Sequence, residues 1–128
     1  LERVAVRTYP ARFVGEFDFE VDQERPKGAV GDFSVVNVRL KDEGHGYPTR
    51  YFRLVCPCGR DHFLPLNGSG VTWDLVATSP PHIGGSILSY CTHVCTHAGA
   101  IENKSTHCHV LLEGGAIKVL DDTLAPLI

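Results

Sequence analysis

Apolar side chains in this chain recur every second residue. No stretch of a dozen residues carries a helical period free of Gly or Pro. Phe17, Phe19 and Val21 interleave with Asp18, Glu20 and Asp22. Val36, Val38 and Leu40 interleave with Asn37, Arg39 and Lys41, and Phe52, Leu54 and Cys56 with Arg53 and Val55. Successive side chains of a strand point to opposite faces, so this alternation predicts half-buried strands. Further strands are predicted at His62–Leu66 and Val71–Ala77, with Asn67-Gly68-Ser69-Gly70 as the turn between them. His109–Glu113 and Ala116–Leu120 flank Gly114-Gly115, a two-residue hairpin signal because glycine tolerates positive φ. Gly44–Thr49 and Ser79–Gly85 read as loops punctuated by Gly and Pro. The expected fold is all-β with long loops.

At 128 residues, 43% apolar and 21% charged, the chain has the size and composition of one globular domain, read here as 1–128. Its charge is unevenly spread. Of the 12 basic residues only Lys104 and Lys118 follow Leu64, and of the 15 acids only Asp74, Glu102, Glu113, Asp121 and Asp122 do. Residues 1–64 therefore read as charged antiparallel strands, and 50–122 as a nearly uncharged β region rich in metal ligands. A net charge of −3 gives no electrostatic case for a nucleic-acid or anionic-membrane partner. No apolar run reaches the roughly 18 to 20 residues that span a bilayer. Leu1–Phe13 lacks the apolar core of a signal peptide.

The chain holds 5 Cys and 7 His. His82, His93, His97, His107 and His109 cluster with Cys91, Cys95 and Cys108, and Cys56 and Cys58 form a tight pair. In Cys56-Pro57-Cys58-Gly59 two thiols sit on a Gly-containing turn between two predicted strands, which resembles a zinc knuckle. Soft thiolates at about 2.3 Å suit zinc, which asks only for four-fold coordination. His107-Cys108-His109 precedes the Gly114-Gly115 hairpin. A knuckle at the base of each of two hairpins is the plan of a zinc ribbon. The expected ligands are thus Cys56, Cys58, Cys108 and His109, with His62 or Cys91 as alternatives for the fourth. Were Cys108 and His109 both within regular strand, they could not both face one ion, because neighbours point to opposite faces. In the duplicated C-T-H of Cys91–His97, residues 91, 93, 95 and 97 share one face if extended. They would need a bend, or a ligand from elsewhere, to hold a second ion. An odd number of cysteines fits metal-bound thiolates in a reducing interior better than a full disulfide framework.

Two family resemblances attach to these residues. Cys95-Thr96-His97 followed by Cys108-His109 resembles the Rieske iron–sulfur pattern, but Leu111 stands where its last His belongs. A longer match spans about seventy residues: Cys56–Gly59, Trp73, Ser79–Ile83, Cys108–Leu112, Gly115–Ile117 and Leu120–Thr123. In this order the chain is similar to a family of small zinc-ribbon-like proteins of tailed bacteriophages and prokaryotes, often mislabelled ammonia monooxygenase. It departs from that pattern at Arg60 and Asp61, where a further Cys usually follows the knuckle. It departs again at Pro81-His82-Ile83, which replaces Pro-Ser-Ile, and at Tyr90–Thr106, which reads as an insertion.

The resemblance implies zinc-ribbon-like hairpins packed on a small antiparallel sheet, and zinc as the cofactor. It implies no activity. The expected function is therefore non-enzymatic: a zinc-stabilised β domain that binds protein, as a phage-type accessory or capsid-associated (decoration) protein. The expected partner is a capsid or other assembly subunit, or further copies of the chain, and the expected location is cytoplasmic or virion-associated. The competing expectation is a metalloenzyme, either a Rieske-like redox protein or a zinc hydrolase using His82, His93 and His97.

Overall fold

A computed structural model describes residues 4–19, 28–38, 46–90 and 106–128, and the described residues are all-β. The strands are β1 (Ala5–Pro10), β2 (Arg12–Phe19), β3 (Asp32–Val38), β4 (Arg50–Val55) and β5 (Asp61–Pro65). They continue as β6 (Asp74–Thr78), β7 (Pro81–Gly84), β8 (Ile87–Tyr90), β9 (Thr106–Glu113) and β10 (Ala116–Leu120). Val21, Leu40, Gly44, Glu102 and the whole C-T-H repeat from Cys91 to His97 lie outside the described residues.

The strands form two four-stranded sheets, ordered β1-β10-β9-β8 and β2-β3-β4-β5, and a separate β6-β7 hairpin. The expectation of antiparallel strands in residues 1–64 is corrected at one point: β2 runs parallel to β3. β1 is antiparallel, but its partner is β10 in the other sheet. A parallel pair needs a crossover of about a dozen residues, which the chain between Phe19 and Asp32 is long enough to provide. β1 and β2 are separated only by Ala11, so one ribbon forms an edge of both sheets.

Period-two burial assembles the core. Phe33, Val35, Phe52 and Leu54 face inward from β3 and β4, and Cys108, Val110, Leu112, Ile117 and Val119 from β9 and β10. The rings of Phe13, Phe33 and Phe52 follow one another at centroid spacings of 5.8 Å. Trp73 meets Phe52 edge-on at 6.4 Å, and its indole N–H donates to Ser86 O at 3.0 Å, so its polar end is satisfied. The predicted turn at Gly114-Gly115 joins β9 to β10, with φ of 56° and 82° at the two glycines. Both values lie where a two-residue hairpin turn places them and where a side chain is disfavoured.

Two local expectations change. Ser79–Gly85 is not a loop throughout: β7 occupies Pro81–Gly84 and pairs antiparallel with β6, with Pro81 and Ile83 buried. Proline at the first residue of a strand costs no ladder hydrogen bond, which is why its presence there misleads. Asn67–Gly70 turns the chain, but β5 and β6 do not pair across it. Asn67 Oδ1 instead accepts from Thr49 N and Arg50 N at 2.9 and 3.1 Å, tying this turn to the start of β4.

Candidate metal centre

The centre is built where β4 ends. Leu54 lies on the inward face of that strand and Cys56, just past its end, is buried in the same core; the chain then reverses through Pro57, Cys58 and Gly59. Cys56 N donates to Arg60 O at 2.9 Å and Gly59 N to Cys56 O at 3.0 Å. Gly59 has φ of 90°, a left-handed conformation that glycine adopts without a Cβ penalty. The reversal brings β5 back so that His62 sits directly opposite Leu54, on the same inward face as Cys56. Cys108 arrives from the other sheet, opposite Ser89 near the start of β9, and points into the shared core.

One candidate ligand atom from each of Cys56, Cys58, His62 and Cys108 lies within 4.8 Å of the others. Cys56 Sγ and Cys108 Sγ are 3.5 Å apart and fully buried. His62 is 7% exposed, and its Nε2 is buried without a hydrogen-bond partner. A buried imidazole nitrogen left unpaired costs free energy, and a metal ion beside the ring removes the need for a proton-bearing partner. Three sulfurs and one nitrogen in this compact group suit a tetrahedral ion that prefers sulfur and nitrogen donors.

Electrostatics in the metal-free cluster point the same way. Hydrogen bonds from Cys108 and then Cys56 hold the Cys58 thiol well below its ordinary value, against the cost of burial. Cys108 lowers Cys56, but Cys58 and burial outweigh it and push Cys56 up to about 12. Cys108 is raised by its hydrogen bonds to Cys56 and Cys58 and by burial. Three adjacent negative charges repel in a buried site, which opposes ionisation of all three thiols together. A dication would let all three ionise together.

The structure brings Cys56, Cys58 and Cys108 together and places His62 with them. It does not bring His109 there. His109 follows Cys108 in β9, so its side chain leaves on the other face. Its Nδ1 lies 3.0 and 3.1 Å from the carboxylate oxygens of Asp122, and its backbone N donates to Thr123 Oγ1 at 2.9 Å. Asp122 therefore holds the His109 ring through a hydrogen bond at Nδ1. Cys108 also lies within a strand, so one turn meets one strand here instead of two knuckles meeting. Register across the β4–β5 hairpin places His62: Val55 pairs with Asp61 and Leu54 with His62.

Cys108 and His109 facing opposite ways cannot serve as neighbouring ligands of a Rieske-like cluster. His82 lies in β7 opposite Ala77 and is not in the four-residue cluster, while His93 and His97 lie outside the described residues. Among the described residues, no helix is long and apolar enough to cross a membrane. Compared with known proteins, the chain matches no family model, no curated protein and no solved structure.

Proposed function

We propose that the chain is a zinc-stabilised β domain that acts by binding protein, with Cys56, Cys58, His62 and Cys108 as a closed structural site. The observation that carries this reading is the set of four ligand atoms within 4.8 Å of one another, with Cys56, His62 and Cys108 buried and Cys58 half-buried. Four protein ligands leave no position for water or substrate, which is the mark of a structural rather than a catalytic zinc site. Zinc there would neutralise the thiolates and cross-link β4–β5 to β9, and His62 would gain a partner for its ring. Such a cross-link contributes directly to folding free energy.

Protein binding is supported by the ribbon of β1 and β2. Among the described residues it forms an edge of both sheets, and it exposes Val6, Val14 and Phe17. Unpaired strand edges with apolar side chains are sites where another chain can add. The similarity to the tailed-phage family extends the reading to an accessory or capsid-associated role, with a subunit of the assembly as partner. Metal analysis of the purified chain, with thermal melts before and after exhaustive chelation, tests the reading. One zinc per chain and a large fall in melting temperature on chelation are expected. A chain free of metal, or one whose melt ignores the chelator, overturns it.

A further inference from the structure

The segment after β10, residues 121–128, bonds to Val4 and Leu120 through Asp121 N and Thr123 N, and makes further hydrogen bonds to the immediate sequence neighbours of all three clustered cysteines. Around Cys108 it holds both flanking residues. Leu124 N and Ala125 N donate to His107 O at 3.2 and 2.9 Å. Thr123 Oγ1 accepts from His109 N at 2.9 Å and donates to His109 O at 3.2 Å, and Asp122 holds the His109 ring. Between Cys56 and Cys58, Pro57 O accepts from Ile128 N at 2.9 Å. The segment is anchored elsewhere too: Ala125 is buried, Leu127 packs against the core, and Tyr9 Oη on β1 donates to Ile128 O at 2.9 Å.

We propose that residues 121–128 form a strap whose docking is coupled to metal occupancy of the cysteine cluster. This rests on the structural-zinc reading above. The strap fixes the backbone at both places from which the sulfurs project, so it holds Cys56, Cys58 and Cys108 at the spacing that one ion requires. Groups that orient ligands from behind are worth about 10- to 100-fold in metal affinity at other sites. Coupling is reciprocal: if docking raises zinc affinity by some factor, zinc raises docking by the same factor. Tyr9, Asp122 and Thr123 are then positioning residues for a metal that they do not touch.

The test uses the full chain and zinc alone. Tyr9→Phe removes one hydrogen bond to Ile128 and keeps the ring, and Thr123→Val removes the hydroxyl and keeps the shape. Competition with a chromophoric chelator should show zinc affinity lowered by about fivefold or more in each. Hydrogen exchange reads the reverse direction. On zinc removal from the unaltered chain, the amides of Leu124, Ala125 and Ile128 should lose more protection than those of Phe33–Val36. Unchanged affinity in both variants overturns the strap and leaves the zinc site standing, whereas failure of the unaltered chain to bind zinc overturns both. Protection at residues 124, 125 and 128 that ignores zinc removal also overturns the strap. So does protection lost equally from Phe33–Val36, since the strap then has no docking equilibrium of its own.

Discussion

Cys56 Sγ and Cys108 Sγ lie 3.5 Å apart although 52 residues separate them in the chain. Cys56 closes β4 in one sheet and Cys108 stands near the start of β9 in the other, so their meeting staples two sheets. Both side chains are fully buried, in the same apolar cluster as Phe52, Leu54 and Val110. The cluster is therefore part of the core rather than an appendage on a loop.

Replacing either sulfur should accordingly cost stability as well as metal. Cys56→Ser and Cys108→Ser are each expected to abolish stoichiometric zinc binding and to lower unfolding free energy by more than about 3 kcal/mol in zinc-replete buffer. Denaturant titration with and without a chelator checks this. The unaltered chain should respond to the chelator and the variants should not.

His62 and His109 should separate cleanly. His62→Ala removes a ligand, and zinc affinity is expected to fall by more than about 100-fold. His109→Ala removes only the contact to Asp122 on the opposite face of β9, and a loss of about tenfold at most is expected. Competition titrations rank the two. A larger loss from His109→Ala would mean that the ligand set is wrong.

How far the sequence carries this picture depends on which residues were read. Alternation in 52–56 and the Gly114-Gly115 turn located β4 and the β9–β10 hairpin, because local periodicity and turn chemistry decide both. The pairing of β1 with β10 was not legible, since residues 5 and 120 meet only through long-range packing. The knuckle announced Cys56 and Cys58 through their spacing. His62 was harder to find, because its place depends on register across a turn whose length only the fold supplies. His109 adjoins Cys108 in the sequence, but strand geometry sends neighbouring side chains to opposite faces.

Zinc affinity should rise with pH. In the metal-free cluster Cys56 is pushed up to about 12 and Cys108 is also raised, while Cys58 is lowered. Zinc binds thiolates, so binding must expel the protons that the raised thiols hold, and affinity rises with pH. Calorimetry in buffers of different ionisation enthalpy counts the protons released. A count near zero would contradict this assignment.

A separate pH dependence belongs to the ion pair at the start of β2 and β3. Arg12 Nε donates to Asp32 Oδ1 at 2.9 Å and, with the backbone N–H of Ala29, holds the Asp32 carboxyl below its ordinary 3.8. A depressed carboxyl contributes stability that is present above its unfolded value and lost as pH falls through the folded one. Asp32→Asn should therefore be less stable than the unaltered chain at neutral pH, with the gap closing as pH drops below 3.8. Melts across that range check the direction. A gap that widens in acid would refute the assignment.

The most direct measurement of the central claim is zinc K-edge X-ray absorption on the purified, zinc-loaded chain. The expected first shell is three sulfurs at about 2.3 Å and one nitrogen at about 2.0 to 2.1 Å, at one zinc per chain. A shell of four sulfurs, or one built from nitrogen and oxygen alone, would contradict a site made by Cys56, Cys58, His62 and Cys108.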